Sequence, residues 1–254
     1  PSILGISSGA SFGVGVVMLI LGGSVGIGSL SFSGFLAVLV GAVIGSLLVM
    51  SVLLFFSSLV KDSLTLLIIG IMIGYITSSV ISLLNFFATA EGVHSYVIWG
   101  LGTFGGVSSA QLPFFSATII IGLIGTILLI KPLNALLLGE RYATNLGINV
   151  RHIRNYILLT VGLLTACVTA FCGPIAFIGL AVPHISRLLL GSSNHSILLP
   201  FTLLAGSVMA LLCNLACILP GSGGVLPLNA VTPLLGAPVI IYVLINQRKL
   251  QYFN

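Results

Sequence analysis

Charge is what this sequence has least of. Only 4% of its 254 residues are Asp, Glu, Lys or Arg, and the acidic ones are Asp62, Glu91 and Glu140 alone. A soluble domain of this length needs a polar surface that so few charges cannot supply. None of the three carboxylates lies in the middle of an apolar run. A proton-coupled carrier keeps one there despite a cost of roughly 2.5–3.5 kcal/mol, so an evident proton relay is absent. A GxxxxGK[ST] phosphate loop is missing too, which excludes ATP binding by that route. No basic cluster interleaves with aromatics, so the pI near 9.3 does not signal nucleic acid. Cys167, Cys172, Cys213 and Cys217 all lie in apolar stretches and read as small hydrophobes. Cys213 and Cys217, four apart on one helical face, lack the His or carboxylate companions of a closed metal site.

Apolar length fills the chain instead. With 58% hydrophobic residues and a mean hydropathy of +1.30, runs long enough to cross a ~30 Å hydrocarbon core as helix recur throughout. The short alternating segments of a transmembrane barrel are absent. The sequence therefore predicts an all-α membrane protein, a polytopic helical bundle. Cutting at Gly, Pro, Ser and charged interruptions leaves about eight transmembrane spans, near 8–25, 33–59, 63–88, 110–135, 154–172, 174–190, 196–218 and 229–247. The pairs Gly9/Gly13, Gly22/Gly26, Gly41/Gly45 and Gly70/Gly74 are small-xxx-small spacings that let helices approach closely. If the chain starts in the cytoplasm and crosses eight times, Lys61, Lys131, Arg141, Arg151, Arg154, Arg187, Arg248 and Lys249 all fall at or near cytoplasmic ends, the positive-inside pattern.

Two polar stretches interrupt this picture. Residues 139–153 form the longest cytoplasmic connection, and ERYATNLGI has the composition of a short helix broken at Gly147. It suits contact with a soluble partner, or else it is a basic loop that only fixes topology. On the outer face, TAEGVHSYVIWGLGTFGG at 89–106 holds the single Trp and a Glu91/His94 pair spaced for one face of a short interfacial helix. An aromatic anchor with a solvated Glu accounts for it. Intramembrane catalysis would need a nucleophile with a base or a metal. His184, after a bend expected at Pro183, is the only histidine placed in a span, and it reads as structural or interfacial.

Four separated motifs carry a resemblance. LGISSGASFG at 4–13, GERYATNLGINVRHIR at 139–154, GPIAFIGLAVPHISRLLLG at 173–191 and VTPLLGAPVIIYVLI at 231–245 stand in the order of the FecCD-like permeases. These are the membrane subunits of type II ABC importers for iron-siderophores, haem and cobalamin. The resemblance covers essentially the whole chain. It implies a single transmembrane permease domain over 1–254, in a bacterial cytoplasmic (inner) membrane. In that family ten-helix subunits form a homodimer on cytoplasmic ATP-binding subunits, and an extracytoplasmic substrate-binding protein docks outside. The chain begins at what looks like the family's third helix, so two helices are expected in front of it.

By the same resemblance, 139–150 is a cytoplasmic coupling segment that docks into the ATPase, through Gly139, Glu140, Arg141, Ala143, Leu146 and Gly147. The spans at 63–88 and 174–190 match pathway-lining helices, which makes Ser63, Thr65, Pro183 and His184 candidate pathway and gate residues. No cofactor is expected in this chain, ATP and Mg belonging to the partner ATPase. Iron-siderophore is the commonest substrate of the family and is the expectation, with cobalamin or haem as alternatives. A passive channel or membrane assembly factor without an ATPase is the reading from a different class. One departure stands out: some family members present outer arginines to the binding protein, whereas the outer surfaces here hold no Arg or Lys, and the usual acidic turn before the last helix reads GSGGVLPLNA.

Overall fold

The computed structural model describes residues 5–20, 24–27, 30–60, 63–218 and 225–251, with side chains left undescribed at 24–33, at 63 and from 242 onward. Gly22, Lys61 and Gly223 fall outside the described residues. The elements in order are α1 (Ile6–Gly15), continued by a π-helical turn (Val16–Ile20), a hairpin of β1 (Ser24–Ile27) and β2 (Leu30–Ser33), then α2 (Phe35–Leu59) and α3 (Ser63–Phe87). They continue with α4 (Ala90–Gly100), α5 (Leu112–Leu128), α6 (Ile130–Leu136), α7 (Glu140–Asn145), α8 (Val150–Cys172), α9 (Ile178–Leu190), α10 (His195–Ile218) and α11 (Leu228–Gln251). The chain divides into two compact units, 1–129 with 149–174, and 130–148 with 175–254.

Each expected span meets an apolar helix, but length separates them. Phe35–Leu59, Leu64–Phe87, Val150–Cys172 and His195–Ile218 are long and apolar enough to cross, and Leu112–Leu128 with Ile130–Leu136 makes a fifth if the broken pair is one span. Ile6–Ile20 and Ile178–Leu190 are shorter apolar helices, and α11 is apolar over Leu228–Ile241, the part whose side chains are described. Among the described residues, helix length supports four or five crossings and does not confirm the expected eight. The reasons are local. The helix expected over 8–25 is described as far as Ile20, and Gly26 lies in β1 instead of on a helix face. The segment expected from 174 begins its helix only at Ile178, and Gly191 in the left-handed region closes it.

In the first unit, α1 is the centre of packing, and glycine makes this possible. A Cβ on Gly9 would lie 2.6 Å from the Gly45 carbonyl oxygen, and one on Gly13 would overlap that of Gly41. Gly5, at φ +77, faces the Gly70 carbonyl in the same way. The LGISSGASFG motif therefore seats α1 between the glycine pairs of α2 and α3, backbone against backbone. Around it Ile6, Val49, Leu53, Leu66 and Leu158 form a buried apolar cluster from α1, α2, α3 and α8. The ends of α2 and α8 are joined by polar contacts, Ser57 Oγ donating to Asn155 Oδ1 at 3.0 Å and Arg154 Nη1 donating to the Val60 carbonyl at 3.2 Å. A cation at a helix C-terminus is stabilising there.

A recess of about 500 Å³ opens between α2, α5 and α8, lined mostly by apolar groups such as Leu47, Ile121 and Leu163. Two of its hydroxyls, Ser46 and Thr118, already donate to carbonyls of their own helices. It offers a lipid-like surface.

In the second unit α9 packs on α10 and α11. Gly206 lies beside Val182 and Gly236 beside Phe177, each at a distance where an added Cβ would make ordinary contact. Cys213, Cys217, Leu228, Val231 and Thr232 are buried. All four cysteines of the chain are buried free thiols.

Candidate functional site

The polar connection expected at 139–150 is an ordered helical peg. Gly139 enters at φ 104, outside the range open to most side chains, and α7 follows for one and a half turns. Its end is a Schellman motif: the Gly147 N–H donates to the Thr144 carbonyl at 2.9 Å and the Ile148 N–H to the Ala143 carbonyl at 3.1 Å, with Gly147 at φ +82. The break expected at Gly147 therefore has a defined backbone cause. Ala143 is wholly buried, while Glu140, Arg141, Tyr142, Leu146 and Gly147 are exposed. One small residue seats the peg, and the remaining candidates, Gly139, Glu140, Arg141, Leu146 and Gly147, are exposed, as is Tyr142, which was not among them. In the first unit, Asn149 Oδ1 accepts from the His152 N–H at 3.2 Å and caps α8, which is why that helix starts four residues earlier than expected.

Behind the peg, three successive backbone bonds join α6 to α7: Leu137 to Leu133 at 3.2 Å, Leu138 to Ala135 at 3.2 Å, and Gly139 to Leu136 at 3.0 Å. On α6, Asn134 makes contacts that composition and spacing did not single out. Its Nδ2 donates to Asn194 Oδ1 at 2.9 Å and to Ser196 Oγ at 3.4 Å. Its Oδ1 accepts from the His195 backbone N–H at 2.8 Å and lies 2.9 Å from His195 Nδ1, a contact suited to the tautomer protonated at that nitrogen. Asn194 itself caps α10, accepting from the Ser196 N–H at 2.9 Å. An amide set in the apolar run KPLNALLL, and the cap-like GSSNHS, were the available signals.

The other candidates are placed as follows. Ser63 opens α3, and Thr65 is exposed in its first turn, both in the first unit. Pro183 and His184 are half-buried in α9 of the second unit, between buried Val182 and buried Ser186. The start of α9 is unusual. Phe177 sits at φ 68, ψ −41, and the Ile178 N–H donates to the Ala176 carbonyl at 2.9 Å, which is a γ-turn of the rare left-handed kind. The Ala176 N–H is held by Asn229 Oδ1 at 3.1 Å. Such a conformation costs on the order of 1–3 kcal/mol and persists only where neighbours fix it. Ser186 Oγ and Thr232 Oγ1, both buried, are without a hydrogen-bond partner.

In the first unit, the short helix expected within 89–106 is α4, with Thr89 Oγ1 accepting from the Gly92 N–H at 3.2 Å. Glu91 and His94 are exposed, and Tyr96 and Trp99 lie together with ring centroids 6.1 Å apart. Burial raises the Tyr96 phenol above its ordinary pKa, a hydrogen bond to Ser11 opposing this in part.

Comparison with known proteins extends over nearly the whole chain. The profile of the FecCD transport family matches residues 1–246. The vitamin B12 import system permease protein BtuC of Salmonella paratyphi A (strain ATCC 9150 / SARB42) is 34% identical over 253 residues, 98% of this chain and 73% of the relative. BtuC of Salmonella newport (strain SL254) gives the same figures. A solved structure described as an inward-facing conformation of a metal-chelate type ABC transporter superposes with a TM-score of 0.84 at 28% identity, over 97% of this chain and 75% of that one. A match of this extent to the family, with relatives and a solved permease structure alongside it, settles membership: the chain belongs to the FecCD transport family and is a multi-pass ABC permease of the inner membrane.

Proposed function

We propose that the chain is the membrane-spanning subunit of an ATP-driven importer of bulky metal chelates. It works as a homodimer on cytoplasmic ATP-binding subunits, which hold ATP and Mg, and receives substrate from an extracytoplasmic binding protein. The vitamin B12 relatives favour cobalamin over the iron-siderophore expected from frequency alone. The single observation that carries the coupling role is the form of α7, a peg fixed by Ala143 at its base and closed by a Schellman turn, with Glu140, Arg141, Tyr142 and Leu146 presented outward. A loop that only fixed topology would need charge but no such ordered shape.

Ser63, Thr65, Pro183 and His184 are proposed to line the path and its gate.

The test is a charge reversal, Glu140→Arg with Arg141→Glu, in the full-length complex in proteoliposomes. Net charge is unchanged, so insertion is expected to be spared. In a partly desolvated groove the reversal sets like charges together, at a cost of several kcal/mol. Uptake of cobalamin is expected to fall at equal membrane levels, and wild-type uptake with wild-type stimulated ATP hydrolysis would refute the coupling role.

A further inference from the structure

We propose that Asn134 is a positioning residue: it ties the α6–α7 peg to the connection between α9 and α10, so that displacement of the peg moves the ends of both helices. The proposal rests on the reading of α7 as the ATPase contact and adds to it a named route within the second unit.

The geometry has three parts. The link from α7 back to α6 has no slack, because Leu137, Leu138 and Gly139 each keep a backbone hydrogen bond into α6. Asn134 then meets three consecutive residues, Asn194, His195 and Ser196, using donor and acceptor of one amide. Finally, the residues it grips are themselves structural joints. Asn194 is the cap of α10, and the connection reaches back through Ser192 to Gly191, the left-handed residue that terminates α9. Pro183 and His184 lie two turns further along that helix.

The chemistry fits an asparagine closely. The site needs two N–H donors and a doubly accepting oxygen at the same position, and a carboxylate lacks the donors while a hydroxyl offers only one. Each bond alone is modest, but several converge on a three-residue stretch at the start of α10. Coupling through a contiguous hydrogen-bonded network of this kind requires that the network break or move as a unit.

Hydrogen exchange on the full-length complex in nanodiscs, without nucleotide and after trapping with ATP and vanadate, reads the route without depending on which substrate is carried. In the wild type, trapping is expected to change exchange both at 139–147 and at 192–198, by roughly tenfold or more for locally opening amides. In Asn134→Ala the response at 139–147 is expected to persist while that at 192–198 is lost. If Asn134→Ala fails to accumulate, Asn134→Asp serves. It keeps the acceptors for His195 and loses the donation to Asn194 and Ser196, so its response at 192–198 is expected to shrink. A response at 192–198 that survives in the variant, or that is missing from the wild type while 139–147 responds, overturns the tether. No response at 139–147 in the wild type overturns the ATPase-contact reading, and the tether with it.

Discussion

Replacing Gly13 by alanine adds one methyl group at the tightest point of the α1–α2 crossing. The new Cβ would overlap the carbonyl oxygen of Gly41, lie 2.6 Å from its carbon and 3.2 Å from the nitrogen of Gly45. All three are backbone atoms of a hydrogen-bonded helix, so none can rotate aside. The two helices must separate until an ordinary C···O distance of roughly 3.3–3.6 Å returns. A gap of about 0.5–1 Å already forfeits a quarter to a half of each dispersion contact along the interface. Overpacking of this kind costs about 1–3 kcal/mol, against a gain of about 1 kcal/mol from the better helix former.

The same substitution at Gly74 meets only Ser8 Oγ at 3.6 Å, an ordinary contact, and keeps the helix gain. Gly74→Ala is therefore expected to be more stable than Gly13→Ala by about 2 kcal/mol, close to thirtyfold in the folded-to-unfolded ratio. Unfolding of the purified full-length permease in mixed micelles, titrated with SDS and followed by tryptophan fluorescence, measures the difference. Equal midpoints for the two variants, or a lower one for Gly74→Ala, would refute the account of α1 as a glycine-seated helix.

The other predictions concern the peg and the topology. Gly147→Val places a β-branched residue in the left-handed region, at about 1–2 kcal/mol, and is expected to fray the end of α7 and lower uptake. Gly147→Asn, which tolerates that conformation, is expected to retain most of it, and equal uptake by both variants would count against the Schellman turn. Cysteine at Glu91 is expected to react with an impermeant maleimide from outside, and cysteine at Asn149 only after permeabilisation. The reverse labelling would invert the topology.

How much of this was legible in the sequence differs by element. Apolar length located the apolar helices, because hydrocarbon solvation leaves a long signal that tolerates small errors, but it did not separate the helices long enough to cross from the shorter ones. Composition also located the broken helix at 140–147, since Gly after a polar turn is a strong stop. The α8 start was missed because one Asn149 cap outweighs the basic residues behind it. The start of α9 was not legible, since a phenylalanine at positive φ contradicts its own preference and the contact that holds the neighbouring N–H comes from Asn229, fifty-two residues beyond it. Asn134 was missed for a similar reason: its partners lie some sixty residues away. The pairs Gly9/Gly13 and Gly41/Gly45 were recognised as packing devices, Gly26 of a third pair lies in β1 instead, and which pair meets which is a property of the fold alone.

The seam between α1 and α2 has a consequence for how such a protein can move. Where leucines interlock, a second set of rotamers offers a second register, and an interface can step between two arrangements. Gly9, Gly13, Gly41 and Gly45 have no side chains to rearrange. Their contact has one geometry or none. During any conformational cycle these two helices must travel as a single stiff beam, and the alternation between states has to be found along surfaces furnished with side chains.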